Sequence, residues 1–206
     1  MAKSIELFEL NYPVIPILST GFTRAETFVG NSIRLLRGGV KAVNDKAFTN
    51  HAFLTTMFMN EQNKFCTEET FDGLKMQSLD QYKKSDNRIV ALLYWKGWDD
   101  LVRRQEALED LAYICRKQGD PDKKSKEGKY DFKGLFSFVP VLRKFKCFKP
   151  DPVADWCSEN CASIHKKYGA KWITKTELAP DELLTIMKNS GECRFVFNYY
   201  KYPEGV

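Results

Sequence analysis

The chain has 206 residues, 43% of them hydrophobic, which is enough for a single domain with a full core and too few for two ordinary domains. Lys and Arg outnumber Asp and Glu by 32 to 27, and the excess is spread along the whole length, so it favours solubility and gives no footprint of a specific nucleic-acid binder. The opening stretch interleaves Glu6, Glu9, Asn11 and two prolines with its apolar residues, so neither a secretory signal nor a membrane span is expected, and a cytoplasmic start is.

Taken in chain order, Glu26 to Arg37 places Phe28, Ile33, Leu35 and Leu36 among polar residues and ends on Gly38-Gly39, which predicts a helix with a glycine stop. "HAFLTTMFM", beginning at His51, is rich in β-branched and aromatic residues and apolar on both faces, so it predicts a covered strand. A second strand near "KFCTEE" (Lys64 to Glu69) follows the polar turn at Asn60 to Asn63, and the two read as an antiparallel hairpin. "RIVALLYWKG" (Arg88 to Gly97) is a short apolar run bounded by charge and glycine, the mark of a buried strand.

Trp98, Leu101, Val102, Leu108, Leu111, Ala112 and Cys115 then recur at helical spacing and predict a long amphipathic helix that buries this stripe. Gly119 to Lys129 reads as a solvated, lysine-rich loop. "DPVADWCSENCASIHKKYG" predicts a helix from about Trp156 to Tyr168, with Asp155 as N-cap and Gly169 as stop. Pro180 opens another helix with acids in its first turn, and "CRFVFNYYKY" closes the chain as an aromatic strand. Helices interleaved with hairpin-type strands make the class α+β.

Six cysteines at irregular spacings, with no C-x2-C pair, read as reduced thiols. Cys157, Cys161 and His165 lie four residues apart on one side of the predicted helix. Cys157 falls in the first turn, where free N–H groups and the helix dipole favour a thiolate; Cys161 is one turn deeper. The bland reading of either is a small buried hydrophobe. A thiolate nucleophile needs a base within roughly 3 Å. His165 lies eight residues on from Cys157, roughly 12 Å along the axis, which leaves His51, the other of the two histidines.

Residues eight apart on a helix also cannot share one tetrahedral ion at bond lengths of about 2 Å, so no metal and no cofactor are expected. For a group to orient His51, "TEET" offers Glu68 and Glu69, and strand alternation allows only one of them onto the histidine's side.

Four stretches carry a resemblance to the circularly permuted papain-like hydrolases related to the NlpC cell-wall peptidases: "NHAFL" around His51, "EETFDGLKMQSL" with its Gly73-Leu74 turn, "GKYDFKGLFSF" (Gly128 to Phe138) and "DWCSENCASI". They occur in the family's order from about residue 20 to 184 of one domain spanning 1 to 206, and "KTELAPDELL" is similar to the family's closing segment. The resemblance implies a permuted papain-like fold, Cys157 as nucleophile, His51 as base and then acid, and Glu69 as the residue that orients His51, the glutamate whose distance from Gly73-Leu74 is closer to the family spacing.

It further implies hydrolysis of an amide or ester through a thioester, with a peptide or acyl-amide as substrate. A related permuted group, the lecithin retinol acyltransferase-like enzymes, carries N-C-x-H; here Asn160-Cys161 is followed by Ser163 at the histidine's place, which weakens Cys161 as nucleophile. Two other expectations stand beside the peptidase: a lipid acyltransferase, and a non-catalytic protein that keeps the fold, for example within a viral particle.

Overall fold

The computed structural model describes residues 15–25, 49–56, 65–70, 73–83, 87–118 and 157–198. The expected helix at Glu26 to Arg37, the loop at Gly119 to Lys129, the segment Gly128 to Phe138 and Asp155 lie outside the described residues. Within them the architecture is α+β. Six strands, β1 (Thr20–Ala25), β2 (His51–Thr56), β3 (Phe65–Thr70), β4 (Gly73–Ser78), β5 (Asn87–Trp95) and β6 (Cys193–Asn198), form one sheet in the order β4-β3-β2-β1-β5-β6. Every neighbouring pair is antiparallel. Three α-helices accompany it: α1 (Leu101–Gln118), α2 (Cys157–Lys167) and α3 (Pro180–Asn189).

The hairpin read from His51 and Lys64 is present as β2 and β3, with Leu54 opposite Thr67 and Thr56 opposite Phe65. Two strands escaped the sequence reading. β1, "TGFTRA", carries three polar side chains, yet Thr20, Thr23 and Arg24 are all buried. It lies between β2 and β5, so it pairs on both edges and both of its faces are covered. β4 begins at Gly73-Leu74, the pair read as a turn after the glutamates, and runs on to Ser78.

The sheet separates two clusters of apolar side chains, and β2 contributes to both by alternation. Ala52 and Leu54 join Phe22, Val90, Trp95, Trp98, Cys161, Ala162, Ile164 and Leu183, the cluster that α2 and α3 cover. Phe53 joins Cys66, Leu79, Tyr82, Ile89 and Leu92. In α1, Ala107 and Leu111 are the fully buried positions, four apart on one face. Leu101 and Val102, expected on the buried stripe, are instead 67% and 69% exposed: they form the first turn, ahead of the point where the stripe meets the core. Trp98, expected in the helix, is buried from a 3-10 turn that precedes it.

Gly169 ends α2 as the sequence suggested. Its φ of +96° is open to glycine at little cost, and the Ala170 N–H donates to the His165 carbonyl (2.9 Å) while the Gly169 N–H donates to that of Lys166 (3.1 Å). This pair of bonds is the Schellman closure.

Gly21 has a different purpose. It sits directly across from Phe53, and a Cβ there would come within 2.0 to 2.5 Å of three atoms of the phenyl ring. The ring uses that space to stack on Tyr82, with centroids 4.9 Å apart and planes 11° from parallel. Gly21→Ala is therefore expected to cost about 2 to 3 kcal/mol through overpacking, read as a lower urea midpoint at unchanged m value; a midpoint equal to wild type would show that the ring moves aside freely.

Candidate active site

The first residue of β2 and the first residue of α2 meet. His51, whose side chain retains 22% of its exposure, and buried Cys157 are hydrogen-bonded. The register of the hairpin brings in the third group. With Leu54 opposite Thr67 and Thr55 opposite Cys66, odd-numbered residues of β2 share a face with even-numbered residues of β3, so Glu68 falls one pleat diagonally from His51, within reach of a long side chain. His51 Nε2 lies 2.6 Å from Glu68 Oε2. Since Nε2 is committed there, Nδ1 is the nitrogen left for the thiol.

The carboxylate on His51 is thus Glu68, where the family spacing had pointed to Glu69. Parity of the pleat decides between the two adjacent residues, and a motif count cannot see it. Glu69 pairs through its backbone with Leu74 of β4; its side chain lies outside the described ones. Cys157 and His51, named from sequence, are brought together. Cys161 and His165 are not part of this contact: Cys161 packs in the core, and His165 is wholly buried among Trp95, Trp98 and Trp172, with Nε2 2.7 Å from Thr20 Oγ1.

Electrostatics favour an ion pair. Burial by itself lowers the pKa of His51, but the charge of Cys157 and hydrogen bonds to Cys157 and Glu68 outweigh it and raise the imidazole to about 10. Burial likewise opposes ionisation of Cys157. The His51 charge and hydrogen bond prevail, helped by backbone hydrogen bonds at Ala52 and Ser158, so the thiol is held below its usual range. Glu68 follows the same pattern: burial disfavours its charge, while His51, Tyr82 and Gln81 together hold the carboxyl below the ordinary range. The arrangement is thiolate, imidazolium and carboxylate in sequence, each stabilised by the next.

Two residues of this site were missed from sequence. The 3-10 turn Leu79–Lys83 delivers Tyr82, whose buried hydroxyl donates to Glu68 Oε2, and Gln81, whose amide donates to Oε1 at 2.8 Å. The only signal was an aromatic with a polar tip in an otherwise polar stretch, a residue that finds a partner when buried.

Ser158 gains a structural account, because its hydroxyl donates to the Leu178 carbonyl and ties the start of α2 to the approach of α3. Among the described residues no group of three or more His, Cys, Asp or Glu is placed to hold a metal ion, and no helix is long and apolar enough to cross a membrane. Comparison with known proteins adds nothing to this geometry: no family model matches the chain, and no curated protein matches it.

Proposed function

We propose that the protein is a cysteine hydrolase of permuted papain-like type that cleaves an amide or ester through a thioester on Cys157. The observation that carries this reading is the continuous contact from Cys157 through His51 to Glu68. The order in the chain, histidine on a strand, glutamate on the next and cysteine opening a later helix, supports the permuted arrangement.

In the proposed reaction the Cys157 thiolate attacks the acyl carbon, and the carbonyl electrons move to oxygen. Free N–H groups in the first turn of α2 stabilise that oxyanion. As the tetrahedral species collapses, the His51 imidazolium passes the Nδ1 proton to the leaving amine or alkoxide, and the acyl group remains on sulfur. Neutral His51 then takes a proton from water, which attacks the thioester; collapse expels the thiolate, and the imidazolium and thiolate are restored. Glu68 keeps the imidazole oriented and stabilises its charge throughout. The substrate class is a peptide or acyl-amide.

An acyl donor that needs no specific pocket tests the chemistry. Mixed with p-nitrophenyl acetate, the protein is expected to release a burst of about one p-nitrophenol per chain. Peptide mapping should place one acetyl group on Cys157, and Cys157→Ala should lack the burst. Acetylation spread over the other cysteines, or a burst that survives Cys157→Ala, would assign the reactivity elsewhere.

A further inference from the structure

Glu68 stands in a fully furnished site. His51 from β2 and Tyr82 from the 3-10 turn share its Oε2, and Gln81 from the same turn occupies Oε1. Gln81 also lies 4.0 Å from the sulfur of Cys66, on the same strand as Glu68. A buried carboxylate whose only donor was a histidine could rotate about its terminal torsion or take up a proton; three donors from two elements fix both the plane of the group and its charge. The phenol is in turn fixed by its stack on Phe53, whose ring occupies the space left by Gly21. A line of contact therefore runs from the middle of the sheet to the imidazole: Gly21, Phe53, Tyr82, Glu68, His51.

We propose that Tyr82 and Gln81 are positioning residues of the thiolate–imidazolium pair, acting through Glu68 and never on the substrate. This inference rests on the cysteine-hydrolase reading. Their hydroxyl and amide keep Glu68 ionised and aimed at His51 Nε2, so that His51 holds its proton at pH values where Cys157 must be a thiolate.

The groups that face Glu68 are His51 on β2, Cys66 on its own strand, Lys75 in register on β4, and Gln81 and Tyr82 in the turn, with Cys157 beyond His51. Removing either donor weakens the carboxylate's hold on the imidazolium, so the thiolate forms at higher pH and is, once formed, a slightly stronger nucleophile.

The test is the rate of alkylation of Cys157 by iodoacetamide between pH 5 and pH 9, followed by peptide mass spectrometry in wild type, Tyr82→Phe and Gln81→Met. Loss of one hydrogen bond to a charged group is expected to slow labelling by up to about tenfold on the acid limb. The acid limb should move up by about one pH unit, and rates at pH 9 should stay within about threefold of wild type. Phe at position 82 keeps the stack on Phe53, so a purely packing role would lower thermal stability without displacing the limb. Gln81 is half-buried and touches the site through its amide, so Gln81→Met carries the test if Tyr82→Phe does not fold.

Acid limbs in both variants that coincide with wild type overturn the positioning roles while the triad stands. If wild-type Cys157 labels no faster at pH 6 than Cys157 in His51→Ala, the hydrolase reading falls and this inference with it.

Discussion

His51→Ala is expected to slow alkylation of Cys157 at pH 6 by about tenfold or more, and acylation by an ester about a hundredfold or more. An ordinary thiol, with a pKa of about 8.5, is roughly one part in three hundred thiolate at pH 6, whereas the His51 charge and hydrogen bond hold Cys157 below that range. Part of that advantage is offset, because a thiolate of lower pKa is a weaker nucleophile, with a Brønsted slope of about 0.4 to 0.5; hence about tenfold for alkylation. Acylation loses more, since His51 must also protonate the leaving group, a contribution of about a hundredfold to ten-thousandfold.

Cys161, buried one helical turn away, should label slowly in both proteins. Glu68→Gln should fall between wild type and His51→Ala, and Glu69→Gln should match wild type. Equal rates at pH 6 for wild type and His51→Ala would remove the case for activation, whatever the distances.

How much of this was legible beforehand differs from residue to residue. Cys157 could be picked from a linear pattern, because a helix start has a local signature and its chemical consequence, exposed N–H groups, is local too. His51 followed by elimination, there being one other histidine and that one eight residues along the same helix. Glu68 could not be separated from Glu69, because the choice depends on the register between β2 and β3, in which Leu54 stands opposite Thr67. Tyr82 and Gln81 were invisible for a related reason. Their turn follows a strand whose first two residues, Gly73-Leu74, read as a turn and whose remainder had no reading; "GLKMQS" becomes a strand by pairing with β3 at the edge of the sheet. β1 was missed because burial on both edges and both faces overrode its polar sequence.

The other histidine supplies the second large effect, on stability. Among the described residues the His165 imidazole is hydrogen-bonded to Thr20 and otherwise enclosed by indole rings; burial pushes its pKa down to about 3. The unfolded chain takes up this proton near pH 6.5 and the folded chain does not until about pH 3, so stability is intact above the unfolded value and is lost as pH falls between the two. The slope is about 1.4 kcal/mol per pH unit for one proton, and the full loss by pH 3 is on the order of 4 kcal/mol.

The Cys157–His51 pair adds to this in a way that depends on pH. Between the unfolded values of histidine and cysteine, the imidazolium and thiolate together hold one proton, as do a neutral histidine and a thiol, so the pair contributes no slope. Above the unfolded cysteine range, support from His51 is lost as pH rises through about 10. Below pH 6.5 the unfolded histidine gains a proton, so wherever the folded thiol stays ionised the pair contributes a slope of the same sign as His165. Urea unfolding between pH 6.5 and 5 should therefore show wild type losing at least one proton's worth of stability per unit. His165→Gln, which keeps a hydrogen-bonding partner for Thr20, should lose about one proton's worth less per unit than wild type. A slope in His165→Gln equal to that of wild type would mean that the folded protein protonates His165 in this range, and that the indole cage admits a charge.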